Sequence, residues 1–252
     1  SIIDLEHNYD QEGNRSIMPK NICTSRELSG ALNDIKRAMP ASENKSNVYC
    51  EDDRAISFLQ YVLSESLHIN LDLYMSFVDI NLGWTNYVQL AEKKVPEFRN
   101  NIIVLDGDVP QKQEYKSKAR AINEARNFLF LPLVIEKSIF ELLKNHSAFS
   151  KFETSFSRSP GFTYDVCFNH WPLDTEKYKT NDFKNWYAQT ETALGGQNCL
   201  FAFWCSEHRD DIDAFIGKFI TLFNLLAERN DVDALPPVVS TSEDEGTNVN
   251  NS

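Results

Sequence analysis

Asn101-Ile102-Ile103-Val104-Leu105-Asp106-Gly107-Asp108 is the stretch on which the reading of this chain turns. The apolar residues run on without alternation, as expected of a strand covered on both faces, and acids follow at once. Such strands belong to parallel sheets whose crossovers carry helices. The flanks agree. Asn47–Glu51, Leu73–Ile80 and Phe128–Leu131 read as further strands. Between and after them, three sets of apolar residues recur at helical spacing. These are Ala55, Phe58, Leu59, Val62 and Leu63; Trp84, Val88, Ala91 and Val95, with Pro96 near the end; and Ile135, Ile139, Leu142 and Leu143. Strand and helix alternate, so right-handed crossovers and a mostly parallel sheet flanked by helices are expected over residues 41–148, a Rossmann-like α/β domain.

Outward from this domain the character changes. Residues 1–40 read as an N-terminal linker and helix: the first twenty are polar and lack a clear period. Thr24 and Glu27 then have capping-box spacing ahead of Leu28, Ala31, Leu32 and Ile35, and Pro40 closes the helix. Residues 149–229 read as a mainly helical, aromatic-rich C-terminal extension. Its first part, 149–172, is loop-like; Phe183, Trp186, Tyr187 and Leu194 outline a helix ended by Gly195-Gly196. Leu200–Trp204 reads as a short buried strand or core segment, and Ile212 to Leu226 carry the stripe of a long core helix. Residues 230–252, polar and acidic, read as a disordered tail.

Of 252 residues, 42% are hydrophobic and 12% aromatic, which is enough for a substantial core and excludes wholesale disorder. No apolar run approaches the ~18 residues needed to cross a bilayer. Ser1–Asp10 has three acids and no basic, apolar start, so no secretory leader is expected. Five cysteines, never in a Cys-x-x-Cys pair, argue against a zinc ribbon or a disulfide framework and for a reducing cytoplasm. The net charge of −12 excludes a free-standing, non-specific nucleic-acid binder. Contact with nucleic acid then requires local basic patches, metal ions or a partner.

Chemistry in an open parallel sheet sits at the carboxyl ends of its strands. Two acidic clusters fall there, Glu51-Asp52-Asp53 and Asp106-Gly107-Asp108. In an extended chain Asp106 and Asp108 point to the same side, and Gly107 leaves room for a ligand. Glu51, from a neighbouring strand, completes a hard oxygen site suited to magnesium or manganese. Asp52 and Asp53 have a plainer reading as helix cap and first-turn acids. The basic run Lys112–Arg126, with Lys112, Lys116, Lys118 and Arg120, reads either as a solvated helix or as a phosphate-contacting patch beside the metals. Phe168-Asn169-His170-Trp171 lacks partner histidines and reads as a structural loop, and Cys50 as a small core residue.

A strand ending in Glu, then a helix, then a strand ending in Asp-x-Asp resembles the TOPRIM domain. Here the pattern is Tyr49-Cys50-Glu51-Asp52-Asp53-Arg54-Ala55 followed by Ile102 to Asp108. Gly83-Trp84-Thr85-Asn86 before a helix, and Leu131-Pro132-Leu133-Val134-Ile135-Glu136, are similar to segments of OLD-type ATPase–nuclease proteins, many of them in bacterial antiphage defence. The resemblance implies metal-dependent phosphodiester cleavage, of DNA ahead of RNA. It implies Glu51 as acid/base or metal ligand, Asp106 and Asp108 as the metal pair, Glu136 as a further ligand, and two Mg or Mn ions. It also implies an oligomeric assembly with an ATPase, upstream or on a separate subunit, since this chain has no Gly-x-x-x-x-Gly-Lys-[Ser/Thr] loop. Where many OLD-type members carry a second acid four residues after the motif glutamate, this chain has Ala55, which leaves Asp52 or Asp53 to substitute. Two rival readings stand beside the nuclease: a degenerate TOPRIM scaffold that regulates a partner ATPase, and a phosphotransfer role in replication.

Overall fold

The computed structural model describes residues 3–9, 15–21, 44–80, 82–156, 161–171 and 178–237. At the start, β1 (Ile3–Tyr9) and β2 (Arg15–Asn21) pair antiparallel with Ile3 opposite Asn21. This corrects the loop expected over the first twenty residues: Ile3, Leu5, His7 and Tyr9 alternate with polar residues, a period of two that a strand can use. The helix expected between Thr24 and Pro40 lies outside the described residues.

The α/β expectation is what the fold has. β3 (Ser46–Cys50), β4 (Met75–Asp79), β5 (Ile102–Leu105) and β6 (Phe128–Phe130) form an all-parallel sheet in the order β4-β3-β5-β6. Successive side chains of a strand face opposite sides. Val48, Cys50, Ile102 and Val104 therefore enter one core, while Tyr49, Ile103 and Leu105 enter another. Both faces need cover, and the crossover helices supply it. α1 (Asp53–Leu67) lies over the first face. α2 (Trp84–Glu92), α3 (Pro96–Asn100) and α4 (Tyr115–Ala125) belong to the second, where Trp84, Tyr87, Val88 and Ile122 are buried with Tyr49 and Leu105. Pro96 opens a helix rather than ending one, because its missing N–H is unneeded at the first helical position.

Two buried side-chain amides, Asn101 and Asn127, hold the amino ends of the strands in register. Asn47 N–H donates to Asn101 Oδ1 (2.9 Å), and Asn127 Nδ2 donates to the carbonyls of Phe98 (2.6 Å) and Asn101 (2.7 Å). Each such bond contributes about 1 kcal/mol net, and losing one strands a buried group at greater cost. The register they help set is Val48 beside Ile102 and Cys50 beside Val104, so Glu51 and Asp106 emerge together at the opposite edge.

The C-terminal helices extend the first core. α5 (Ile135–Lys144), α6 (His146–Ser155), α7 (Tyr164–Phe168), α8 (Thr180–Thr190), α9 (Gln197–Glu207) and α10 (Arg209–Asn230) bury Phe140, Phe149, Phe152, Trp186, Phe201 and Phe219 with Phe58 and Leu59 of α1. Phe140 is the hub, edge-on to Phe168, Trp171, Tyr178, Phe183 and Trp186. Three expectations need correction. Residues 146–155 are helical, capped by the Asn145 side chain, which accepts from the N–H groups of Ser147 and Ala148. Leu200–Trp204 is a core segment, but within helix α9 rather than a strand. The chain beyond α10 is fixed as far as residue 237: Val232 and Leu235 are buried, and Asn224 and Leu235 exchange two hydrogen bonds. The rest of the tail lies outside the described residues. Among the described residues, no helix is long and apolar enough to cross a membrane.

Candidate active site

Glu51 follows directly on β3 and Asp106 directly on β5, so adjacent parallel strands deliver both carboxylates to the same edge. Glu51 Oε1 accepts a hydrogen bond from the backbone N–H of Asp106 at 3.0 Å. Beyond Asp106 the chain is not extended, contrary to the sequence expectation. Gly107 N–H turns to the carbonyl of Leu133 (3.2 Å), and Asp108 adopts a helical conformation that starts a short turn over Val109–Gln111. Gly107 is required by that packing. A Cβ there would lie 2.6 Å from the Leu131 carbonyl oxygen and 2.7 Å from that of Leu133. The protein's own loop approaches this glycine, which also lines a groove beside Asp106 and Asp108.

Glu51 and Asp106 both feel the acids around them. Burial, then the charges of Glu51, Asp52 and Asp108, push the Asp106 carboxyl up to about 7. Burial also raises Glu51, opposed by the Asp106 N–H and by Lys112. Asp108 Oδ1 is shielded from solvent, and Lys112 Nζ stands 2.9 Å from it. Asp52 caps α1, accepting from Ala55 N–H at 2.9 Å, which is the plainer of its two sequence readings. Its other oxygen lies 3.7 Å from Lys184 of α8. Ala55 points into the core at 1% exposure, so an acid at that position would be buried away from the other carboxylates. Asp53 is exposed on the first turn of α1.

Asp52, Asp106 and Asp108 line a groove of about 530 Å³, a size suited to a small ligand or a nucleotide unit. Glu136 lines it too, but its carboxylate is committed to Arg54 Nη1 at 3.2 Å, and the Arg54 guanidinium lies 4.3 Å above the Tyr187 ring. Glu51 is not part of the lining and is tied to it through the Asp106 N–H. Four cations, Arg54, Lys112, Lys137 and Lys184, ring the groove. Of the basic residues expected to meet phosphate, only Lys112 reaches it. Lys116, Lys118 and Arg120 lie off the lining; Lys118 pairs with Glu92 (3.3 Å) and Arg120 with Glu124 (2.7 Å). Sequence reading missed Arg54 and Lys184. Arg54 adjoins the acidic motif and could have been suspected, whereas nothing local distinguishes Lys184.

The donor set fits a hard divalent cation in part. Carboxylate oxygens are the right ligands for magnesium or manganese, and the Asp106 carboxyl is raised first by burial and then by the neighbouring acids Glu51, Asp52 and Asp108. Among the described residues, however, no three His, Cys, Asp or Glu side chains converge as a ready-made cluster. Magnesium is commonly held by only one or two carboxylates with water and substrate phosphate. Asp106 and Asp108 fit such an open site, with Glu51 as a supporting acceptor.

No protein-family model and no curated protein matches the chain. A solved structure similar to it is the C-terminal region of the Burkholderia pseudomallei OLD protein. The identity is 14%, the match covers 71% of this chain and 96% of that one, and the TM-score is 0.36.

Proposed function

We propose that this chain is a Mg- or Mn-dependent nuclease that hydrolyses phosphodiester bonds in DNA, working with an ATPase in prokaryotic antiviral defence. The observation that carries the reaction is the grouping of Glu51, Asp106 and Asp108 at the carboxyl edge of adjacent strands, beside a groove ringed by Arg54, Lys112, Lys137 and Lys184. The ATPase and the defence role follow from the TOPRIM and OLD-type resemblance of the motifs.

Asp106 and Asp108 would hold the divalent ion. When bound, it supplies charge neutralisation for the phosphate and a more acidic water. Glu51 accepts the Asp106 backbone N–H and so fixes the residue that would hold the ion; its carboxylate would take the proton from the attacking water. Lys112, beside Asp108, and Arg54, held by Glu136 and Tyr187, offset the negative charge of the phosphodiester that enters the groove. The test is cleavage of plasmid DNA in Mn²⁺ by the chain with its ATPase. Wild type should nick or linearise the plasmid, and Glu51→Gln and Asp106→Asn should each lose at least 100-fold of the rate, on the order expected for removing a charge-stabilising group. Equal cleavage by wild type and Asp106→Asn would reject the site.

A second reading is a catalytically degenerate scaffold that regulates the ATPase. It is favoured by Ala55 in the core where an acid would otherwise stand, and by the lack of a converged three-acid cluster among the described residues. Asp106→Asn protein with full biological activity would support it.

A further inference from the structure

The acidic body of this protein carries a concentrated basic track at the edge of the sheet opposite the acid groove. Two adjoining grooves share Arg99, Arg120, Glu124 and Ala125. One continues past Arg126, Arg229 and the exposed apolar Leu225, and the other past Lys94 and Glu92. The arginines come from α3, from α4 and its cap, and from the end of α10, so tertiary folding rather than a local run assembles them. Both acids along the track are already engaged, Glu92 with Lys118 and Glu124 with Arg120. Arg99, Arg126 and Arg229 are exposed and make no ion pair among the described residues. Three unneutralised guanidiniums facing one cleft repel one another unless an anion lies between them, and guanidinium is the side chain best matched to phosphate oxygens.

We propose that this track binds the phosphodiester backbone of double-stranded DNA. Its shape favours an extended polyanion over a compact one, because two grooves run into each other along the Arg99–Arg120 wall. α4 links it to the acid groove: Lys112 lies just before the helix at the groove, while Arg120 at its middle and Arg126 at its far cap lie in the track. Eleven helical residues span roughly 16 Å at 1.5 Å each, about five base pairs of duplex at 3.4 Å. The track thus holds the duplex within about half a turn of the groove. The site of cleavage rests on the nuclease reading; binding by the track does not.

The test is the affinity of a fluorescent 20-base-pair duplex for full-length protein without divalent ions, across a salt series. Arg99→Gln/Arg229→Gln should weaken binding tenfold or more and reduce the slope of log K against log salt by about two, since each lost phosphate contact removes roughly 0.9. Arg99→Lys/Arg229→Lys should restore much of the affinity and the slope. Wild-type affinity and slope in the glutamine pair would overturn the proposal. So would an acidic peptide that binds wild type but not the glutamine pair while the duplex binds both alike; the track would then be a protein-docking surface. The two readings fail separately. If the wild type binds through the track but never cuts in Mn²⁺, the nuclease assignment falls and the track stands. If the glutamine pair binds and cuts like wild type, the track falls alone.

Discussion

The carboxylate of Glu51, one residue beyond β3, accepts a 3.0 Å hydrogen bond from the backbone N–H of Asp106, one residue beyond β5. This bond closes the edge of the sheet where the acids gather, and it ties the position of Asp106 to a neighbouring strand. Several measurable consequences come from that arrangement and from the packing that supports it.

Asp106 controls how stability depends on pH in metal-free buffer. Its carboxyl is raised from the ordinary value to about 7, so between pH 4 and pH 7 the folded protein holds a proton that the unfolded chain releases. Stability is therefore greatest near pH 4 as far as this group is concerned, and falls as pH rises toward 7. Asp106→Asn should remove that slope and raise stability above pH 7, on the order of a few kcal/mol. Urea unfolding from pH 4.5 to 8 checks it, and parallel curves for the two proteins would contradict it.

Gly107→Ala should destabilise the chain by roughly 1–3 kcal/mol, the cost of forcing an atom into filled space. The obstacles are the backbone carbonyls of Leu131 and Leu133, which cannot rotate away as side chains do. Gly83→Ala serves as a control, because nothing lies within 4 Å of where its Cβ would stand. Denaturant midpoints for the pair should separate clearly.

Arg54 and Glu136 are coupled, and the coupling has a direction. Glu136 is 9% exposed, so Arg54→Ala leaves a nearly buried carboxylate without its cation. Glu136→Gln leaves a partly exposed arginine still resting on Tyr187. Arg54→Ala should cost about 1–2 kcal/mol, discounted for the exposure of the guanidinium, and Glu136→Gln distinctly less. A double-mutant cycle by thermal unfolding measures both effects and the interaction between them.

Phe140→Ala should cost about 3–5 kcal/mol, the range for a large buried aromatic. Its ring touches five others across α5, α7 and α8 and the segments between them, so the loss extends beyond one cavity. Near-ultraviolet circular dichroism should weaken along with the unfolding temperature.

Local patterns were legible where a single element decided the outcome. The apolar run before Asp106 marks a doubly covered strand, and the residues that end β3 and β5 identify themselves by following such runs. Leu200–Trp204 shows the limit. A helix apolar on all sides has no polar face to reveal its period, so five of its residues read like a strand. The missed helix at His146–Ser155 did carry a signal, the capping Asn145. The site was half legible. Glu51, Asp106 and Asp108 could be named from the chain, but the pairing of Glu136 with Arg54, the approach of Lys184 to Asp52 and the dispersal of Lys118 and Arg120 depend on how separate helices pack. The bend at Gly107 is of the same kind, because its cause is the loop at Leu131–Leu133.

The most direct measurement of the central claim is thermal unfolding of the full chain at pH 7.5 with increasing Mn²⁺, for wild type and Asp106→Asn/Asp108→Asn. An ion that binds only the folded state raises its apparent stability in proportion to the logarithm of its concentration once the site is saturated. The unfolding temperature of wild type should climb with Mn²⁺ while that of the double variant, starting higher, stays flat. An equal Mn²⁺-dependent rise in both proteins, or none in wild type, would contradict a cation site on Asp106 and Asp108.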